Sequence, residues 1–146
     1  MTKKIFRSIC LVAICVVLSV MAIIMGVMYN YYSDLQAQRL DKQVEYVADA
    51  VELNGEEYLK SIKDNSIRMT WIAKDGTVLY DNEASSDQME NHLEREEVKQ
   101  AMATGKGSSQ RYSKTLTQRQ YYSAVRLNDG SVMRMSVKEL TWWALL

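Results

Sequence analysis

From Ser8 to Met28 the chain carries no charged residue, and the run is dense in Ile, Val, Leu and Met. A helix of about 20 such residues is roughly 30 Å long, the thickness of a bilayer core. Lys3, Lys4 and Arg7 precede the run, whereas the first charges after it are Asp34 and Arg39. That bias places the N-terminus in the cytoplasm and everything after the run outside it, at the cell membrane. Tyr29, Tyr31 and Tyr32 fall where an interfacial aromatic belt would lie. The apolar run is longer than a signal-peptide core and no A-x-A-like site follows it. Ile14, ahead of Cys15, is too large for lipoprotein-type cleavage. A retained transmembrane helix over 8–31 is therefore expected, with 1–7 cytoplasmic.

Both cysteines, Cys10 and Cys15, lie inside this span as small apolar residues. The region beyond it has no disulfide and must be held by its own core. Setting aside Lys3, Lys4 and Arg7 leaves 15 of the 18 basic residues against 18 acidic ones. A slightly acidic outer region lacks the basic face that nucleic acid requires, so no nucleic-acid partner is expected.

Beyond Tyr32 the pattern becomes that of an amphipathic helix. Ala37, Leu40, Val44, Val47 and Val51 recur at three- and four-residue steps, and no Pro or Gly interrupts Val27 to Leu53. The stripe Leu40, Val44, Val47, Val51 fits packing on a sheet and equally fits a heptad seam of a homodimer. Asn54-Gly55 ends or kinks the helix, and a short turn with Tyr58, Leu59 and Ile62 follows. Ile67–Ala73 and Thr77–Asn82 read as a hairpin closed at Lys74-Asp75-Gly76, since Asp-Gly supplies the positive φ of a tight connection. The polar stretch 82–91 reads as a loop. Leu93–Thr104 reads as a helix capped by Asn91 and stopped at Gly105. Strands at about 108–115, 119–127 and 131–137 follow, the last two joined at Asn128-Asp129-Gly130. The expected fold is α+β: a transmembrane helix continuing into a long helix packed on a five-stranded antiparallel sheet, with a short helix on the other side. This outer domain occupies 32–138. The apolar residues after Glu139, with Trp142 and Trp143, read as the start of a second transmembrane helix cut off at 146.

No catalytic constellation is visible. His92 is the single histidine, and neither G-x-S-x-G nor a Walker loop occurs. Gly105-Lys106-Gly107-Ser108 lacks the leading glycine of a phosphate loop and reads as a helix stop and strand entry.

The motifs D-G-T-V-L-Y-D (75–81), Asn91-His92 with Arg95 and Glu97, Ala101, Gly105 and Gly107, Arg111-Tyr112-Ser113 with Thr115-Leu116, Tyr122 with Ala124, and the Arg134 strand resemble a known family. It is the extracytoplasmic sensor region of PhoR-type (phosphate-regulon-like) sensor histidine kinases. The resemblance implies a PAS-like single Cache (PDC) fold and the input portion of a two-component phosphorelay protein. It further implies ATP and Mg only for a kinase domain beyond these residues, and a cognate response regulator reached through it. In such an arrangement Trp71, Tyr80, Asp81, His92, Arg95, Arg111, Tyr112 and Tyr122 would surround a pocket for a small anionic ligand. Alternatively Asp81, His92 and Arg95 brace the loop onto the sheet by mutual hydrogen bonds. Mildly acidic surroundings would charge His92 if its pKa were unperturbed. The same input module on a chemoreceptor or cyclic-dinucleotide enzyme, or a self-contained membrane-anchored binding or envelope protein, fits the residues as well.

Overall fold

A computed structural model of the chain describes residues 1–113 and 118–139. It divides into two compact units, Met1–Leu35 and Gln36–Leu146. The expected second membrane helix at 139–146 lies outside the described residues except for Glu139.

A single helix, α1 (Thr2–Asn54), supplies nearly all of the first unit. Its most apolar 18-residue window has a mean hydropathy of 3.0, so by length and composition it can cross a membrane or serve as a signal sequence.

The second unit is α+β. After the C-terminal part of α1 come α2 (Glu56–Ser61), β1 (Arg68–Ile72), β2 (Val78–Asp81), a short 3-10 turn (Ser86–Gln88), α3 (Glu96–Thr104), β3 (Lys106–Ser113), β4 (Gln118–Arg126) and β5 (Val132–Lys138). The five strands form one antiparallel sheet in the order β2-β1-β5-β4-β3. Gly55, at a φ of 65°, separates α1 from α2, as Asn54-Gly55 foretold.

The two hairpin turns share one chemistry. Asp75 Oδ1 accepts the Thr77 N–H at 3.0 Å, and Asp129 Oδ1 accepts the Ser131 N–H at 2.9 Å. Each aspartate thereby fixes its own turn. Helix α3 starts three residues later than expected, at Glu96 with Arg95 as its flanking residue. Asn91 instead ties the loop together, its Oδ1 accepting the Leu93 N–H at 2.8 Å while its Nδ2 donates to the Asp75 carbonyl at 2.9 Å.

Strand alternation divides the sheet into two faces. Met69, Met133, Met135 and Leu127 pack with Leu40, Val44, Val47 and Val51 of α1 and with Leu59 of α2. The α1 stripe is thus consumed by the sheet within one chain, and a seam between copies would need a different face of the helix. Each fully buried Leu or Val contributes about 1.5–3 kcal/mol. Polar tethers flank the stripe: Asp41 accepts from Ser123 Oγ at 2.6 Å and Tyr121 Oη at 3.1 Å, Glu45 pairs with Lys106, and Glu52 accepts the Asn128 N–H at 2.6 Å. On the opposite face, Val98 and Ala101 of α3 pack on Ile72, Ala124 and Val132. A Cβ on Gly107 would overlap the Glu97 carbonyl and lie 2.7 Å from Gln100 Cβ. Only glycine lets α3 sit this close to β3.

Candidate functional site

That close approach delivers Glu97, in the first turn of α3, onto the sheet. Its side chain is completely buried and accepts from three groups. Ser109 Oγ donates to Oε2 at 2.6 Å, Arg111 Nη2 donates to the same oxygen, and Arg134 Nη1 donates to Oε1 at 3.2 Å. Arg134 continues the chain, its Nη2 lying 3.1 Å from Thr70 Oγ1. Thr70 passes its own hydroxyl proton toward Asp81 Oδ2 at 2.8 Å, where Arg68 Nε also donates at 3.0 Å. The result is a hydrogen-bonded belt from β3 through α3 and β5 to β1 and β2. Both guanidiniums also lie over the Tyr122 ring, with Arg111 Cζ 4.5 Å and Arg134 Cζ 5.3 Å from its centroid.

The belt also holds the connection from β2 to α3. Asp81 Oδ1 accepts the N–H groups of Glu83 and Ala84 at 2.9 and 3.0 Å. At the far end of the loop the His92 N–H donates to the Gly76 carbonyl at 2.9 Å. Gly76 sits at a φ of 90°, and a Cβ there would overlap Asn91 Oδ1. The loop therefore closes on the first hairpin turn.

Electrostatics favour charged carboxylates here. Burial pushes the Glu97 carboxyl up, but the bonds from Ser109, its own backbone N–H and Arg111 outweigh that, leaving its pKa below the ordinary 4.5. Asp81 behaves alike: burial raises it, whereas Glu83, Thr70, Ala84 and Arg68 together hold it below 3.8. His92 is shifted the other way for a base. Burial lowers its pKa below 6.5, the Glu90 carbonyl opposes this, and the charges of Arg134, Arg95 and Arg68 reinforce it. With Nδ1 2.7 Å from the Glu90 oxygen, which can only accept, the neutral ring carries its proton on Nδ1.

The structure brings Asp81, His92, Arg111 and Tyr122 to this face, with Arg95 close enough to His92 to influence its charge. Trp71 and Tyr80 pair with each other in the register and pack on the opposite, α1-facing core. There Trp71 Nε1 donates to Ser131 Oγ at 3.0 Å and Tyr80 Oη reaches the Leu59 carbonyl at 3.4 Å. Tyr112, next to Arg111 on the edge strand β3, is exposed. The loop is braced, though not by mutual bonds among Asp81, His92 and Arg95. Asp81 takes Arg68 and Thr70 from the adjacent strand, which the sheet register already places beside it.

Glu97, Arg134, Thr70 and Ser109 were not among the expected site residues. Their signal was there: Arg134 interrupts the Val-Met-Arg-Met-Ser-Val strand on alternate positions, and a buried guanidinium needs a carboxylate within reach. Among the described residues no group of His, Cys, Asp and Glu is placed to hold a metal ion. The sequence matches no protein-family model, and no curated protein matches it.

Proposed function

We propose that the chain is the signal-sensing and signal-transducing portion of a two-component sensor histidine kinase. In this reading α1 is a retained membrane anchor with a cytoplasmic N-terminus, and 32–138 form an extracytoplasmic PAS-like domain of the single-Cache type. ATP, Mg and the response regulator then belong to a cytoplasmic part beyond these residues, and the working unit is a homodimer.

The observation that carries the proposal is the division of labour between the sheet faces. One face seats α1 on apolar residues, and the other holds a buried ionic belt that ties α3 and the 82–95 loop to four strands. Apolar packing stabilises a small domain at least as well as buried ion pairs do. Switching proteins use the repacking of such ion pairs between two arrangements that an outside stimulus biases, and the belt supplies ion pairs of that kind. The antiparallel sheet with a long helix on one side and short elements on the other also supports the likeness to Cache domains. α1 is common to both units, so changed packing of its outer part has a covalent route toward the cytoplasm.

The test is a chimera in which residues 1–146 replace the sensor and first membrane helix of a bacterial histidine kinase of known output. Arg111→Gln, which removes one belt cation at a partly exposed position, is expected to shift autophosphorylation in membranes. Lys63→Gln, at an exposed position, is expected to leave it unchanged. Equal output from wild type and both variants, all folded, would contradict the reading.

A further inference from the structure

An open sheet ends in two edge strands, each a row of unpaired backbone groups that natural folds shorten, bulge, cover or charge. The β2 edge has three of these protections. It is four residues long, its pairing with β1 shifts register at Trp71/Ile72, and it borders the Ser86–Gln88 turn. The β3 edge is eight residues long. Its outward groups follow from the ladder. The Arg126 N–H donates to the Gly105 carbonyl at 2.9 Å, and antiparallel bonding recurs at every second residue. Gly107, Ser109 and Arg111 therefore bond to β4, whereas Lys106, Ser108, Gln110 and Tyr112 turn their backbone groups outward.

Helix α3 covers the first half of that row. Gln100 Oε1 accepts the Ser108 N–H at 3.1 Å, and Thr104 Oγ1 donates to the Lys106 carbonyl at 2.8 Å. The second half has no such cover. Among the described residues, the Ser108 carbonyl and the N–H and C=O groups of Gln110 and Tyr112 have no hydrogen-bond partner. The charges beside this open half are of one sign. Arg111 lies on the α3-facing side, its side chain 31% exposed. On the other face Tyr112, 57% exposed, stands opposite the exposed Arg119. The carboxylates that reach this part of the sheet are engaged: Glu97 is buried and shared with Arg134, and Asp41 accepts from Ser123 and Tyr121.

We infer that the open half of β3 is a docking edge for an extended acidic segment of another polypeptide, which adds to the sheet as a further strand. Main-chain bonds to Ser108, Gln110 and Tyr112 hold the segment, and its carboxylates meet Arg111 on one face and Arg119 on the other. A second copy of this chain is the poorer occupant, because pairing β3 with itself brings Arg111 and Arg119 of both copies to one seam. The edge is defined by the sheet alone and does not depend on the sensor reading.

The experiment adds a capped Val-Glu-Val-Glu-Val peptide, or its Val-Lys-Val-Lys-Val counterpart, to the full chain in detergent micelles at up to about 10 mM, with amide exchange read by NMR. The acidic peptide is expected to slow the Gln110 and Tyr112 amides about ten-fold at saturation. Ser109 and Arg111, already bonded to β4, should change little, and the lysine peptide should slow none of them. Gln110→Pro removes an outward donor and no ladder bond, at the kind of position where an edge strand accepts proline. It should abolish the protection at Tyr112, whereas Gln110→Ala should keep it. Arg119→Gln, at an exposed position, should weaken the acidic peptide about three-fold and carries the test alone if the proline variant melts too low to compare. No protection by the acidic peptide, equal protection by the lysine peptide, or unweakened binding by either folded variant would overturn the inference. Peptide-free dimers that dissociate on Gln110→Pro, read by sedimentation, would overturn it in favour of a second copy.

Discussion

Replacing Glu97 by glutamine keeps the side chain's shape and removes the charge on which two guanidiniums converge. In the native fold the carboxylate accepts from Ser109 at 2.6 Å, from Arg111, and from Arg134 at 3.2 Å. An amide has one acceptor oxygen and turns an NH2 group toward at least one of these donors. Hydrogen bonds to charged groups contribute about 1.5–3 kcal/mol each, and stripping one partner from a buried pair costs about 3–5 kcal/mol. Arg111 is partly exposed and can turn to water, so the lower end applies: about 3 kcal/mol. For a domain near 100 residues that lowers the thermal midpoint by about 12–24 °C, a large share of a total of about 5–15 kcal/mol. Arg134→Met should cost a similar amount. The double variant should cost less than the two added together, by about 1–3 kcal/mol, because the second substitution removes a charge the first had already orphaned. Urea unfolding of the full chain in micelles, followed by circular dichroism, measures all four corners of this cycle. Strict additivity, or a Glu97→Gln effect within about 0.5 kcal/mol of wild type, would refute the belt as an energetic unit.

Three further outcomes follow from the same geometry. His92 has its pKa depressed in the fold, so the unfolded chain binds its proton first; stability contributed by the neutral ring is complete above pH 6.5 and lost as pH falls below it. His92→Gln should flatten the decline in urea midpoint between about pH 7 and 5, with 6.5 as the unperturbed reference, and an unchanged pH profile would contradict the burial of a neutral ring. Gly76→Ala combines a φ of 90° with overlap on Asn91, whereas at Gly130, φ 85°, an added Cβ meets only the flexible Lys74 chain at 3.2 Å. Gly76→Ala should therefore destabilise more than Gly130→Ala, whose cost should stay near the 1–2 kcal/mol of a left-handed residue; equal melting temperatures would count against the loop docking on the first turn. Asp41→Ala removes the acceptor of the buried Ser123 hydroxyl; a loss of about 1–3 kcal/mol is expected, and Asp41→Ala/Ser123→Ala should recover part of it in the same urea assay.

The parts of the fold written in local chemistry were legible in the sequence. Asp75-Gly76 and Asp129-Gly130 announced both hairpins, and Leu40, Val44, Val47 and Val51 announced a helix face that needs a partner. The site was legible only in part because it depends on which strand face each residue takes. Trp71 and Tyr80 alternate with Thr70 and Asp81, and the register sends the aromatics under α1 and the polar pair to the belt. Glu97 enters the sequence analysis only as one element of the resemblance motif, with no partner on another strand assigned to it. Its burial follows from Gly107, whose missing Cβ admits α3, and that coupling joins residues on different elements. The partners of Asp41, Glu45 and Glu52 come from β4, β3 and the second hairpin turn, which are distant in sequence and so carry no local signal.

In the proposed topology α1 holds the sheet domain on the far side of a membrane from its own N-terminus, and thiol labelling measures that directly. With Cys10 and Cys15 replaced by serine, single cysteines are introduced at Lys4 and at Leu53, which is 84% exposed at the end of α1. Intact cells are treated with a membrane-impermeant maleimide before or after permeabilisation. The proposed topology predicts labelling of Leu53→Cys in intact cells, and labelling of Lys4→Cys only after permeabilisation, on a chain of undiminished length. Protection of Leu53→Cys in intact cells, or loss of the Lys4 site by cleavage, would contradict it.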